Sequence, residues 1–184
     1  NGHAVMYGNT NDDNFSHYEA GADHFINLLY TFDAAGKLSG AIINVPCPSQ
    51  NSEHEWKLTA DYWHDVRQAI RAQYGDIFLL PQCAAAGDLS PRILHYKQAQ
   101  DRRFRLKYGD FYAENGVERA ARKDIAERIA AAFGEVLDWA QKDIRTAVPI
   151  RHKVSTVQLS RRMITDEEYQ QAKEGLAAAQ AQAF

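Results

Sequence analysis

The amino-acid sequence predicts an α/β fold with a mixed sheet. In this fold a β-hairpin is followed by a βαβ unit, helices lie on the faces, and a long helix occupies the second half. Two observations support this prediction. Short apolar, β-branched segments alternate with turn residues and one helical segment over residues 24–82. Residues 117–145 instead repeat apolar side chains at helical spacing. The length of 184 residues suits a single domain or one part of a larger domain.

The first elements form the predicted hairpin. Residues 1–22 are rich in Gly, Asn and Asp, which predicts irregular structure. The segments "HFINLLYTF" (24–32) and "LSGAIINVP" (38–46) contain the β-branched and aromatic residues typical of strands. Between them, "DAAGK" (33–37) supplies the Asp and Gly of a tight turn. Because this connection is short, the two strands should pair antiparallel.

The second strand also begins the predicted βαβ unit. A helix is expected in "LTADYWHDVRQAIRAQYG" (58–75), with Thr59 as its N-cap and Gly75 as its stop. One face of this helix is formed by Tyr62, Val66, Ala69, Ile70 and Gln73. The continuous apolar run in "DIFLLPQ" (76–82) predicts a parallel strand covered on both faces. A right-handed crossover is expected between the two strands.

The second half is predicted to be mainly helical. Residues 117–145 carry the apolar stripe of a long helix, formed by Ile125, Ile129, Phe133, Val136, Ala140 and Ile144. "HKVSTVQLSRRM" (152–163) is a weaker candidate for a further strand. Thr165 and Glu168 have the spacing of a capping box, which predicts the start of a final helix.

Composition limits the classes of partner. With 21 basic and 24 acidic side chains the net charge is −3, which gives no electrostatic reason to expect nucleic acid or an anionic membrane. Basic residues cluster in "DRRFRLKYG" (101–109). This cluster can be interpreted as a solvated helix face or as a phosphate-binding surface. No apolar segment approaches the ~20 residues that a transmembrane helix needs. The two cysteines match neither a disulfide framework nor a zinc ribbon.

Candidate site residues follow the two strands of the βαβ unit. Ligands of α/β sheets usually bind beyond the carboxyl ends of the parallel strands. The strand 38–46 is followed by Cys47 and Gln50, and the strand 76–82 by Asp88 and Ser90. If the strands are parallel neighbours, both groups emerge at one edge of the sheet.

Ser90 and Asp88 each allow two interpretations. Ser90 before Pro91 is typical of an N-cap with Pro at the first helical position, but a hydroxyl at this edge could also act as a nucleophile if a base or metal activates it. Asp88 could hold a turn or orient a catalytic partner. The small residues that end at Gly87 would allow a ligand to approach the backbone closely, unless they are small because another layer packs on them.

Cys47 also allows two interpretations. As a thiolate it could bind zinc or attack a carbonyl group, and as a thiol it would be a small buried apolar residue. Asp61 and His64 form an i, i+3 pair that could bind a metal or lie on the solvent-facing side of the helix.

Four segments, in this order along residues 5–92, carry motifs of one known family: "MYGNTNDDNFSHYEAGADHFINLLYTFD", "GKLSGAIINVPCPSQ", "LTADYWHDVRQAI" and "CAAAGDLSPR". They resemble the neutral, non-lysosomal ceramidases. The second is similar to the family's strand ending in Asn-x-x-x-His-Pro-Thr, and the third to its Ser-x-Asp-x-x-Gly helix entry. The fourth is similar to its Gly-Asp-Val-Ser-Pro-Asn motif, which is the most specific of the four.

The resemblance implies a zinc-dependent amidase that cleaves the N-acyl bond of a sphingolipid or another small-molecule or lipid amide. On this basis Ser90 would be catalytic and Asp88 would orient it. Gly87 and Gln50 would contact the substrate, and Cys47 would be a metal ligand. The resemblance favours a secreted or periplasmic location and implies nothing about oligomeric state.

The chain departs from the family at the metal site. Cys47 precedes Pro48 where the family has a zinc-binding His before Pro. The family's upstream His-x-His segment and its downstream Glu and Tyr ligands have no counterpart that we can place. The chain is therefore expected to be either a fragment of a larger member of the family or a divergent, bacterial-type member whose metal site has degenerated or been redirected. The alternative is a non-catalytic binding or structural domain that keeps the fold with a degenerate metal site. A cysteine-dependent hydrolase that uses Cys47 is a third hypothesis.

Overall fold

A computed structural model describes residues 5–182 of the chain. Residues up to 145 form one compact unit and residues from 146 onward form a second. The first unit contains the strands β1 (Asn27–Phe32), β2 (Leu38–Val45) and β3 (Phe78–Cys83) and the helices α1 (Tyr62–Tyr74) and α2 (Lys97–Ala140), and the second contains α3 (Asp166–Gln182). Residues 5–22 lack regular structure, as expected from their composition.

The sheet is mixed and has the order β1-β2-β3. Strands β1 and β2 pair antiparallel through a turn in which the Asp33 side chain accepts hydrogen bonds from the backbone N–H groups of Ala35 and Lys37. Strands β2 and β3 pair parallel, with Val45 opposite Cys83 at their carboxyl ends. The predicted hairpin, βαβ unit and α/β class are therefore confirmed.

One face of the sheet forms the core. Strands β2 and β3 direct buried Ile43 and Leu79 toward α1 and the C-terminal part of α2. Phe133 of α2 is fully buried and contacts the rings of Tyr30 and Tyr74 with centroid separations of 5.0 and 5.3 Å. The Tyr30 hydroxyl donates a 2.6 Å hydrogen bond to the Phe133 carbonyl, so this tyrosine is buried with its polar group paired.

The other face of the sheet carries exposed apolar side chains. Leu29, Ile42 and Leu80 lie in one row across the three strands, and Phe78 lies on the same side of β3. Phe78 and Leu29 are 68% and 54% exposed. The prediction that β3 is covered on both faces is therefore wrong for this part of the chain, because β3 is an edge strand with a helical layer on one side only.

The N-cap of helix α1 lies two residues after the expected one. Its N-cap is Asp61, whose side chain accepts from the backbone N–H of Tyr62, whereas the Thr59 hydroxyl accepts from the Asp61 N–H. Gly75 ends the helix as predicted, with a φ of 81°. Of the predicted apolar face, Tyr62, Val66 and Ile70 are buried, but Gln73 is exposed.

Helix α2 is a hairpin of two arms. Gly109 and Gly116 have φ values of 46° and 77°, which glycine adopts far more readily than other residues and which interrupt the helix. In a straight helix Arg103 and Asp124 would be about 30 Å apart at 1.5 Å per residue, yet their side chains are hydrogen-bonded. The second arm starts after Gly116, which agrees with the predicted start of a long helix at Val117.

In the part of the second unit that the structure describes, residues 146–182, there is one helix, α3. The capping box that begins α3 is confirmed, since the Thr165 hydroxyl accepts from the Glu168 N–H and the Glu168 carboxylate accepts from the Thr165 N–H. The candidate strand at 152–163 is wrong, because these residues are exposed and form no strand. Its apolar residues do not alternate regularly, which is what a half-buried strand requires. Among the helices of residues 5–182, none has the length and apolar content needed to span a membrane.

Candidate functional site

Two loops meet at the carboxyl edge of β2 and β3. The first covers residues 46–61 and the second residues 84–96. The beginnings of both loops are hydrogen-bonded to one atom: the Val45 carbonyl accepts from the N–H groups of Cys47 at 2.8 Å and Ala84 at 3.0 Å. The loops that contain the predicted site residues are therefore neighbours, because the two strands that precede them are parallel neighbours.

The first loop is held by buried polar side chains. Asp61 is 2% exposed, and its carboxylate accepts from the N–H groups of Ser52 and Tyr62 at 2.8 Å each. Asn51 is also 2% exposed and donates to the Glu118 carbonyl of α2 at 2.8 Å. Because these groups are buried and paired, the first loop has a defined position against α2. His64 is exposed and Asp61 is engaged by the backbone, which favours a structural role for Asp61 over a metal pair.

The second loop contains a tight turn at the predicted site. The Leu89 N–H donates to the Ala86 carbonyl at 3.1 Å, which makes Gly87 and Asp88 the two central residues of a β-turn. Both central residues are exposed. A Cβ added at Gly87 would meet no atom within 4 Å, so packing does not explain why this residue is small.

Ser90 follows this turn and does not cap a helix. Its hydroxyl accepts a 3.2 Å hydrogen bond from the backbone N–H of Arg92, which is a local turn. Helix α2 starts only at Lys97, after Tyr96 in a left-handed conformation with a φ of 59°. The prediction of an N-cap at Ser90 with Pro91 in the first turn is therefore wrong. The same Ser-Pro pattern also suits a turn. In a helix cap and in such a turn alike, the serine side-chain oxygen accepts a hydrogen bond from a backbone N–H that follows it.

Arg92 joins the two loops. Its guanidinium forms a 2.8 Å ion pair with Glu53 and donates to the Gln50 carbonyl at 3.3 Å. The Gln50 side chain donates in turn to the Tyr7 hydroxyl at 3.0 Å. Thus Ser90 and Gln50 are connected through Arg92: the Arg92 backbone holds the serine and its side chain holds the glutamine.

Ser90 lies in the wall of a groove of about 470 Å³ between the second loop and the two arms of α2. This volume is within the range of about 300–1,000 Å³ typical of small-molecule sites. We call it the arginine groove. Its lining consists of Ser90, Pro91, Arg92, Ile93, Tyr96, Ala99, Gln100, Arg103, Phe104, Ala121, Asp124, Ile125 and Arg128. A neighbouring groove of about 510 Å³ shares the Pro91–Ile93 segment with it and extends toward Tyr7 and Asn51.

Asp124, in the lining of the arginine groove, is the centre of a charged cluster. It is 4% exposed and its carboxylate contacts Arg103, Lys107 at 2.9 Å and Arg128 at 3.0 Å. Burial alone would raise the pKa of this carboxyl, but the hydrogen bonds from Arg103 and Lys107 and the charge of Arg128 outweigh it and lower the pKa below its usual value. Asp124 therefore carries a negative charge at neutral pH and ties both arms of α2 together.

Cys47 lies beside the core and lines neither groove. It packs against the main apolar cluster, and its carbonyl accepts a 2.6 Å hydrogen bond from the Tyr62 hydroxyl. Burial raises the pKa of the Cys47 thiol to about 11. The thiol is therefore protonated near neutral pH, which favours the apolar interpretation and disfavours a cysteine nucleophile.

The predicted site residues thus divide into two groups. Ser90 lines the arginine groove, Asp88 and Gly87 lie on the turn before it, and Gln50 is linked to it through Arg92, whereas Cys47 lies apart. Within the described part of the chain, no three His, Cys, Asp or Glu side chains are grouped so that they could hold a metal ion.

Sequence reasoning did not identify the charged residues of the groove. Arg92 directly follows the "GDLSP" motif, but nothing in its local sequence indicates that it reaches the first loop. Arg103 belongs to the basic run 101–109, for which a phosphate-binding surface was one of two interpretations. Asp124 and Arg128 have i, i+4 spacing, which was a usable signal for an ion pair on one helix.

Comparisons with family models, curated proteins and solved structures gave no match to this chain.

Proposed function

We propose that this chain is part of a hydrolase of the neutral ceramidase type that cleaves an amide bond of a small-molecule or lipid substrate. The observation that supports the proposal is the position of Ser90. The serine of the family-like "GDLSP" segment lies in the wall of a groove of ligand size, at the carboxyl edge of two parallel strands.

The surroundings of Ser90 suit an N-acyl substrate. Ile93, Phe104 and Ile125 contribute apolar surface to the arginine groove, which can bury an acyl chain. The exposed turn at Gly87 and Asp88 leaves room for the amide to approach the backbone next to Ser90. In this proposal Ser90 contacts the reacting amide, Asp88 orients it, and Gln50 and Gly87 contact the substrate.

Zinc is the cofactor that the family resemblance suggests. It would supply Lewis acidity and an activated water. The described residues do not by themselves provide its site, since they contain no group of three His, Cys, Asp or Glu side chains that could hold a metal ion. Zinc binding at Cys47 therefore stays a proposal that requires further ligands, and no step of the reaction is derived through it.

The test is the release of fatty acid from N-acyl substrates, measured by mass spectrometry for the wild-type chain and two variants. Ser90→Ala should lower kcat/KM by at least about 100-fold, the scale of loss when a proton-transferring or nucleophilic group is removed. Ser49→Ala is the matched control, because Ser49 is exposed on the first loop and lines neither groove. Equal activity of Ser90→Ala and wild type would refute the assignment.

A non-catalytic binding domain is the second candidate function. It is favoured by the hydrogen bond in which the Ser90 hydroxyl accepts the Arg92 N–H, because this bond gives the serine a structural role without a base. Zinc content measured by plasma mass spectrometry separates the two functions. One zinc ion per chain supports the hydrolase, and a metal-free protein without amidase activity supports the binding domain.

A further inference from the structure

The arginine groove is positively charged although the whole chain carries a net charge of −3. Arg92, Arg103 and Arg128 line it, and Asp124 is the single carboxylate in the lining. The two other acidic partners of this region, Glu53 and Glu127, contact Arg92 and Lys107 without lining the groove. The groove walls therefore carry an excess of positive charge, and such an excess attracts anions.

Asp124 positions two of these arginines. It engages one nitrogen of Arg103 and one nitrogen of Arg128, whereas a guanidinium has five N–H donors. The side chains of Arg103 and Arg128 are 43% and 68% exposed, so both remain accessible to a ligand. With Lys107 and its second partner Glu127 included, three cations contact two carboxylates, which leaves one positive charge in excess.

Arg92 is the third arginine and it has an unsatisfied donor. Its terminal nitrogens contact Glu53 and the Gln50 carbonyl, but within the described residues its buried Nε has no hydrogen-bond partner. A buried donor without a partner costs about 1–3 kcal/mol. Because this Nε is buried, the accessible guanidinium groups of the groove are those of Arg103 and Arg128.

The groove combines this charge with apolar surface. Ile93 is 40% exposed and lines the groove, above the buried side chains of Phe104 and Ala121. A ligand that satisfies both features has an apolar chain and an anionic group. Planar carboxylates and phosphates match the fork of guanidinium donors better than other groups do.

We infer that the arginine groove binds an amide that carries an anionic group, a carboxylate or a phosphate, next to its apolar chain. Arg103 and Arg128 bind the anion, and Asp124 positions both. The inference that the ligand is an amide substrate rests on the proposed hydrolase function. The inference that the groove selects an anion is independent of that function, and the two are tested separately.

The experiment is isothermal titration calorimetry of the intact chain with three probes. N-octanoylglycine and octyl phosphate are anionic, and N-octanoylglycinamide has the same acyl chain and amide as the first without its charge. Each anion should bind at least about tenfold more tightly than the uncharged amide, as expected for one charge-assisted contact. The tighter of the two anions identifies whether carboxylate or phosphate is preferred.

Two variants locate the site. Arg128→Gln and Arg103→Gln should each weaken anion binding at least about tenfold and leave binding of the uncharged amide unchanged. Arg102→Gln is the matched control, because Arg102 is exposed, adjacent to Arg103 and absent from the groove lining. Urea unfolding of each variant reports whether it is folded.

The outcomes separate this inference from the proposed function. Equal affinity for the charged and uncharged amides, or the same loss in Arg102→Gln as in Arg128→Gln, would overturn the inference even if the chain hydrolyses amides. Selective anion binding without hydrolysis would support the inference and count against the hydrolase.

Discussion

Substitution of Asp124 by asparagine removes the charge at the centre of the cluster with almost no change of shape. Asp124 is 4% exposed and its carboxylate contacts Arg103, Lys107 and Arg128. These contacts join the two arms of α2, because Arg103 and Lys107 lie before Gly109 whereas Asp124 lies after Gly116. The substitution should therefore lower the free energy of unfolding of the first unit.

The size of this loss of unfolding free energy depends on how well water can solvate the cations that Asp124 contacts. Breaking a buried ion pair by removing one partner typically costs about 3–5 kcal/mol. Here Arg103 and Lys107 are 43% and 40% exposed and Arg128 is 68% exposed, so water can solvate all three after the substitution. We therefore expect a smaller loss of about 2–3 kcal/mol at neutral pH.

The loss should depend on pH. Because folding lowers the pKa of Asp124, its stabilisation is fully present above the unfolded pKa of about 3.9 and disappears as the pH falls through the lower folded value. The difference between wild type and Asp124→Asn should accordingly be constant from about pH 7 to pH 5 and decrease below about pH 4.

Urea unfolding followed by circular dichroism at several pH values measures this difference. Asp138→Asn is the control, since Asp138 lies on the same arm of α2 and is exposed, and its substitution should change stability by less than about 0.5 kcal/mol. The reasoning would be refuted if Asp124→Asn unfolded at the same urea concentration as wild type at pH 7. It would also be refuted if the difference stayed the same at pH 2.5.

Two further predictions concern the sheet and the cysteines. Leu79→Ala should lower the free energy of unfolding by about 2–4 kcal/mol and Leu80→Ala by less than about 1 kcal/mol, because Leu79 is 5% and Leu80 is 40% exposed. Urea unfolding measures both, and equal losses would show that the second face of β3 is also covered. Iodoacetamide at pH 8 should label exposed Cys83 before Cys47, because burial raises the pKa of Cys47 to about 11. Peptide mass spectrometry over time measures the order, and faster labelling of Cys47 would contradict its protonated state.

The order of strands and helices in the first unit could be predicted from periodicity and turn residues. Segments rich in β-branched and aromatic residues form β1 and β2, and residues with a period near 3.6 form α1 and the second arm of α2. Short-range signals were also reliable where one side chain or one glycine decides the geometry. Gly75 ends α1, and Thr165 and Glu168 form the capping box of α3.

Short-range signals failed where several residues competed for the same role. Thr59 and Asp61 can both cap α1, and only packing decides between them, because Asp61 is buried where it also holds the N–H of Ser52. Ser90 before Pro91 suits both a helix cap and a turn, and the left-handed backbone at Tyr96 delays the start of α2. A local pattern cannot separate such alternatives, because each satisfies the same backbone N–H groups.

By itself the sequence determined the α/β class, the hairpin and the βαβ unit, and it predicted that the loops carrying Gln50 and Ser90 meet at one edge if their strands are parallel neighbours, which the structure shows them to be. The physical reason is that these features depend on periodicity and on connection length, which are local properties. Only the tertiary structure decided that α2 folds back on itself, that Arg92 joins the two loops and that Asp124 gathers cations from both arms. These contacts join residues far apart in the chain, and their partners are selected by packing and charge after the backbone has brought them together.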